Sequence, residues 1–184
     1  TVMDDNKVLT LASNERVPLD GTMRLLIEVA HLRNATPATV SRGGVLFINE
    51  RDIGWRPFVD SWIEKGGRSE KQQEQLRSLF GTYLGPALDY MKRNIRPIVT
   101  VQEISMTMTT CFLLDSLTDG QADTPKQSLE RYFAFCGIWG LGSSLSIDKG
   151  TDYRHMFSEH AKSAWSELVK FDGEASVFDF MIDP

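Results

Sequence analysis

The chain has 184 residues, is 41% hydrophobic and 24% charged, and carries a formal net charge of −5. That balance suits a folded domain and excludes a disordered tail, and the acidic charge argues against a protein held on nucleic acid by phosphate contacts. Its longest apolar stretch, Tyr132 to Leu141, is about half of the roughly 20 residues that a bilayer-spanning helix needs.

The chain opens on Thr1 without an initiator methionine, and its last residues follow the apolar run Val177, Phe178, Phe180, Met181 and Ile182. Both features lead to the expectation of a piece of a longer protein. The first fifty residues read as strands and turns. Val8, Leu9 and Leu11, then Ser13-Asn14-Glu15, then Val17 and Leu19 predict a hairpin. Met23 to Val29 and Val45 to Ile48 are near-continuous apolar runs of strand length, the pattern of strands buried on both faces. Between them Pro37 opens a short helix, Ala38 to Arg42, which Gly43-Gly44 stops. Strand, short helix, strand predicts the closing part of a parallel α/β sheet.

From Asp52 onward the period turns helical. Trp55, Val59, Trp62 and Ile63 form one apolar stripe, and Leu76, Leu79, Phe80, Tyr83 and Leu84 form a second. Gly66-Gly67 is expected to break the first helix, and Gly85-Pro86 to kink or end the second. Thr100 and Glu103 make a T-x-x-E capping box ahead of Ile104, Met108, Cys111 and Phe112. Thr118-Asp119-Gly120 is expected to end that helix, and a polar loop follows to Lys126. The helix from about Pro125 to Leu141 is apolar nearly all round, which predicts the centre of a bundle; Gly137, Gly140 and Gly142 would let a neighbour approach closely. Thr151-Asp152 would cap a last helix carrying Tyr153, Phe157, Trp165 and Leu168.

Catalytic motifs are sparse. No G-x-x-x-x-G-K-[ST] loop occurs, so no segment of this chain can cradle a nucleotide's phosphates in that manner. His155, Glu159 and His160 miss the H-x-x-E-H zinc pattern by one residue, and a five-residue spacing points the two imidazoles in different directions on a helix. Asp4-Asp5 reads as turn residues, Asn34-Ala35-Thr36 as a chance match to a glycosylation acceptor, and Thr39 and Ser41 as helix-surface hydroxyls. No metal site is expected. Cys111 and Cys136 lie apart in apolar surroundings and predict reduced thiols. Arg42 stands out, because it ends a short helix ahead of two glycines and a predicted strand. Such an arginine is either an exposed structural residue or a cation presented to another subunit's phosphate.

The segment Ala35-Thr36-Pro37-Ala38-Thr39-Val40-Ser41-Arg42-Gly43-Gly44 closely resembles the A-S-P-A-T-V-S-R-C/A-G signature of the second AAA+ module of dynein heavy chains. The resemblance continues upstream through Thr1 to Leu11 and the turn Asn14-Glu15-Arg16, and downstream through Asp52-Ile53-Gly54-Trp55 and Ser61-Trp62. The helix Tyr132 to Trp139 and the tail Val169-Lys170-Phe171 with Ser176 to Phe180 also resemble the family, so the likeness spans nearly the whole chain. The turn and the Ile48-Asn49 to Trp55 junction look closer to axonemal than to cytoplasmic dyneins.

The resemblance implies an α/β fold in which residues 1–50 are the C-terminal part of the large AAA+ subdomain, a hairpin plus two core strands. Residues 51–170 would be the all-α lid and residues 171–184 a connector toward the next module. It implies that Arg42 is a trans arginine finger for the neighbouring main ATPase site. The sensor position falls near Ala30, between Glu28 and His31, and alanine has no side chain to orient water. This fits a structural ATP site that does not hydrolyse, with Arg131 as the candidate lid arginine beside Glu28 and His31. The intact protein would be an ATP-driven, minus-end-directed microtubule motor using ATP/ADP with Mg, located in the cytoplasm and cytoskeleton, in the axoneme of a cilium or flagellum. Its partners would be the adjacent AAA+ modules and linker, microtubules, and dynein intermediate and light chains, with no nucleic acid and no membrane. The chain alone would be inactive and would bind no nucleotide tightly. The alternative is a non-motor helical interaction module derived from an AAA+ remnant, using the charged surface from Glu64 to Arg77.

Overall fold

A computed structural model describes residues 2–3, 7–96, 98–118 and 123–182, with the side chain of Glu50 outside the description. The Asp4-Asp5 pair and the Asp119-Gly120 helix stop lie outside the described residues. The chain divides into two units, Thr1–Ile48 and Asn49–Pro184.

In the first unit the predicted hairpin forms. Strand β1 (Val8–Thr10) pairs antiparallel with β2 (Arg16–Pro18), with Leu9 opposite Val17. Asn14 closes the turn at φ 67°, a left-handed conformation that asparagine tolerates. Helix α1 (Pro37–Arg42) starts where predicted: the Thr39 amide donates to Thr36 Oγ1 at 3.2 Å, and Pro37 fills a first-turn position that needs no N–H. The Gly43 amide then donates back to the Val40 carbonyl and the helix ends.

The two expected core strands do not form. Among the described residues the only ladders are two antiparallel pairs, and Met23 to Val29 and Val45 to Ile48 carry neither strand nor cover. Leu26 is 99% exposed and Phe47 82%. The physical reason is pairing: a strand buried on both faces needs hydrogen-bonded neighbours and a layer on each side. Among the described residues of this unit there are only two three-residue strands, and they pair with each other.

The second unit is a helical bundle. Its elements are α2 (Glu50–Ile53), α3 (Arg56–Lys65), α4 (Glu70–Leu79), α5 (Gly85–Asn94), α6 (Glu103–Thr118), α7 (Lys126–Gly142) and α8 (Tyr153–Ala164). A two-residue antiparallel pair, β3 (Ile147–Asp148) with β4 (Thr151–Asp152), sits between α7 and α8. Trp55, Val59 and Ile63 are buried as their spacing predicts, and so are Leu76, Leu79, Phe80 and Leu84.

Gly85-Pro86 does not end the second helix. Phe80–Leu84 widens into a π-turn in which the Gly85 amide donates to the Phe80 carbonyl, five residues back. The wider turn lets the chain run on into α5 with Pro86 in its first turn, where no N–H is required.

Helix α7 is the centre of the bundle, and α6 lies along it. The contact depends on absent side chains. A Cβ on Gly140 would stand 3.0 Å from the Thr110 amide nitrogen and 3.1 Å from the Met106 carbonyl oxygen. On other faces, a Cβ on Gly137 would meet the Trp165 ring at 2.9 Å and one on Gly142 the Phe178 ring at 2.5 Å. This approach also sets which face of α6 goes inward. Met106, Thr107, Thr110, Cys111 and Leu114 are buried, whereas Phe112, expected in the apolar stripe, is 54% exposed and meets Phe58 edge-on. The buried threonines donate within their own helix, Thr107 Oγ1 to the Glu103 carbonyl and Thr110 Oγ1 to that of Met106. The T-x-x-E box is not closed: the Glu103 carboxylate pairs instead with Lys92 Nζ at 3.2 Å. Asp152 does cap α8, accepting from the His155 amide at 2.9 Å.

Candidate functional site

Arg42 occupies the last turn of α1, a helix with no buried residue, so its side chain stands on an exposed element. Thr36 and Thr39 hydroxyls, 2.9 Å apart, are used up in the cap beneath it. Just after it, a Cβ on Gly43 would meet the Met3 side chain at 3.1 Å, while Gly44 faces open space. Glu28 and His31 lie on exposed, irregular backbone of the same unit. Arg131 is in the other unit, exposed on α7. Glu28, His31 and Arg42 thus share one unit, but no ladder holds them in a common constellation.

The histidine pair of α8 separates as its spacing requires. His155 is exposed, and His160 lies flat on the Tyr90 ring, with centroids 3.7 Å apart and the planes parallel. Its Nε2 is buried and has no hydrogen-bond partner, and burial lowers the imidazole pKa. Among the described residues no group of three His, Cys, Asp or Glu is placed to hold a metal ion. Both cysteines are buried and unpaired; burial pushes the Cys136 thiol up to about 12 and Cys111 higher still.

Among the described residues of the second unit a cavity of about 350 Å³ opens beside Trp55. Gly54, at φ 71°, turns the chain between α2 and α3 and places Trp55 on the cavity wall. Leu88 and Met91 of α5, Ile95 just after it and Met106 of α6 complete an apolar floor. Arg51, the Lys92–Glu103 ion pair and the first turn of α6 supply the polar rim. The Arg56 guanidinium stands 5.1 Å from the Trp55 ring centroid. The cavity suits a flat, mostly apolar group with a polar or anionic end. Sequence reading did not assemble these residues, because Arg51, Lys92 and Glu103 lie on separate helices; the one local signal was Gly54-Trp55.

A second cluster ties α3 to α6. Arg68 is 6% exposed at its side chain and pairs with Asp115; its guanidinium carbon sits 3.9 Å from the Trp62 ring centroid. Trp62 Nε1 donates to the same carboxylate at 2.7 Å. Glu64 and Arg77, the ends of the charged surface in the adaptor alternative, pair with each other at 3.3 Å.

Residues 76–184 match the family described as the dynein heavy chain AAA lid domain. The whole chain is 48% identical over 187 residues to dynein axonemal heavy chain 9 of Homo sapiens, covering 100% of this chain and 4% of that protein. It is 46% identical over 186 residues to the ciliary dynein beta chain of Tripneustes gratilla, again covering 100% and 4%. It is 43% identical over 188 residues to the flagellar outer-arm dynein beta chain of Chlamydomonas reinhardtii, with the same shares. The chain therefore spans about 4% of the length of the curated relatives it matches.

Proposed function

The chain belongs to the dynein heavy chain AAA lid family, and from that membership we propose that it is part of the motor domain of an axonemal heavy chain. In this reading residues 1–50 complete a large AAA+ subdomain of the second module, residues 51–170 form its lid, and residues 171–184 lead toward the next module. The intact protein is then an ATP-driven microtubule motor of the axoneme, working with its neighbouring modules and linker and with intermediate and light chains.

Arg42 is the residue on which the functional reading turns. The observation that carries it is its position: an exposed arginine at the C-terminal end of a capped helix, followed by two glycines that keep the backbone narrow. A guanidinium so presented can reach a phosphate bound by a neighbouring module and balance charge that develops during phosphoryl transfer.

ATP bound at the neighbouring main site would supply the phosphoanhydride whose cleavage drives the motor, while this module's own site would hold ATP uncleaved. In this reading the cavity beside Trp55 would take the planar base, with Arg51 and the Lys92–Glu103 ion pair at its rim. No phosphate-cradling loop is present in the sequence, so the phosphates would be held by residues outside it. The family resemblance assigns Arg131, Glu28 and His31 to that site, and it puts Ala30 at the sensor position. With alanine there, no side chain at that position orients an attacking water, which accords with a site that holds ATP without turning it over.

The test is Arg42→Ala in an intact heavy-chain motor. Microtubule-stimulated ATPase should fall by about 10³-fold or more, the scale of a lost arginine finger. An unchanged rate would sink the assignment.

A further inference from the structure

Side chains join the first turn of α4 to the two residues that precede Pro125. The Ser69 hydroxyl, which caps α4, donates to the Asp123 carboxylate. The Thr124 amide donates to Gln72 Oε1 at 3.2 Å. Pro125 then stands at the N-cap of α7, where it has no N–H to give and no side-chain oxygen to cap the helix. The start of the central helix is therefore held to α4 by the residues just ahead of it.

Two polar atoms of this joint have no partner among the described residues. Gln72 is 2% exposed and Thr124 9%, and both Gln72 Nε2 and Thr124 Oγ1 are buried without a hydrogen bond. Turning the Gln72 carboxamide over cannot relieve this. Its oxygen is fixed by the Thr124 amide, because only an oxygen can accept there, so the NH2 group keeps its hydrogens in need of an acceptor. Buried polar groups of folded proteins are almost always matched, by protein or by ordered water.

We propose that one buried water molecule bridges Gln72 Nε2 and Thr124 Oγ1 and is a fixed part of the α4–α7 joint. The water accepts from the carboxamide and donates to the hydroxyl oxygen, which is within the two to four hydrogen bonds that buried waters make. The chemistry selects water over an ion. The Gln72 NH2 offers only hydrogens, so it cannot hold a cation, and the carboxylate of Asp123, the adjoining residue, repels an anion. A groove of about 270 Å³ opens along the same two helices, between Gln75 and Leu79 of α4 and Lys126 and Leu129 of α7, and gives water a way in from solvent. The site lies wholly in the second unit and is independent of the motor reading.

A crystal structure of the 184-residue chain locates the water, and nuclear magnetic cross-relaxation between water and the Gln72 NH2 hydrogens measures its residence in solution. One ordered water should lie within about 3.2 Å of both Nε2 and Oγ1. Thr124→Val removes the hydroxyl and should shorten the residence about five- to tenfold, the effect of one lost hydrogen bond. Thr124→Ser keeps the hydroxyl and should retain the parent's residence. A protein acceptor or an ion against Gln72 Nε2 overturns the proposal, as does a residence in Thr124→Val equal to the parent's. Should Thr124→Val fail to fold, the parent crystal structure decides the case alone.

Discussion

Gly140 of α7 lies directly against the backbone of Thr110 in α6, so close that an added Cβ would stand 3.0 Å from the Thr110 amide nitrogen. Backbone atoms cannot swing aside as a flexible side chain can. Gly140→Ala should therefore destabilise the second unit by about 2–3 kcal/mol, the range of core overpacking. Gly81→Ala is the control, because nothing lies within 4 Å of its added methyl and its φ is not positive; it should be neutral or stabilising by up to about 1 kcal/mol. Urea unfolding followed by far-ultraviolet circular dichroism measures both. Equal midpoints for the two variants would remove the close-contact argument.

Arg68 and Asp115 form the principal polar tie between the α3–α4 turn and α6. Arg68 is nearly buried and Asp115 half-exposed, so the pair is worth less than a fully buried one. Removing the carboxylate still leaves the guanidinium against Trp62 and takes the acceptor from Trp62 Nε1. Asp115→Ala should cost about 1–3 kcal/mol and Asp115→Asn less, since an amide oxygen can still accept. Removing both partners in Arg68→Met/Asp115→Leu should cost less than Asp115→Ala alone. A double variant less stable than the single would show that the pair is a net stabiliser.

The helical part of this fold was legible because its signal is local. Trp55, Val59 and Ile63 fall on one face by spacing alone, and the glycines of α7 announce a close neighbour. Three kinds of information were not local. Which face of α6 turns inward is decided by where Gly140 lets it approach, and this buries threonines and leaves Phe112 out. The Arg68–Asp115 pair joins residues 47 apart, and nothing in either segment names the other. The apolar runs Met23 to Val29 and Val45 to Ile48 read as core strands, yet a strand's burial is a property of its neighbours, and the hairpin offers none. For the site the contrast is similar. Arg42 is visible through its flanking motif, whereas the cavity wall of Arg51, Trp55 and Lys92 exists only once three helices are assembled.

Cys111 and Cys136 should be inert in the folded chain. Burial raises both thiols far above the ordinary range, so almost no thiolate is present near neutral pH, and reagents cannot reach the sulfur. At pH 8, a disulfide reagent should label neither residue on the timescale of minutes and both within that time in denaturant. Their labelling should be slowed by at least about 100-fold and should track global opening. A fast first thiol in native buffer would place Cys111 or Cys136 in a locally open segment.

His160 gives the second unit a pH dependence whose sign follows from its surroundings. Nε2 is buried without an acceptor against Tyr90, and burial holds the folded-state pKa below the ordinary 6.5. The unfolded chain then binds the proton more readily than the folded one. Stability is unaffected by this residue well above pH 6.5 and declines as the pH falls from there through the lowered folded value. Only part of the ring is enclosed, so the effect on the melting temperature should be modest, a few degrees between pH 7.5 and 5.5. His160→Phe keeps a ring to stack on Tyr90 and removes the titration, so its loss of melting temperature over the same interval should be smaller than the parent's by those few degrees. The crossover should persist in high salt, because desolvation rather than a neighbouring charge causes the shift. Parallel pH profiles for the parent and His160→Phe would show that the α5–α8 contact opens before His160 takes up its proton.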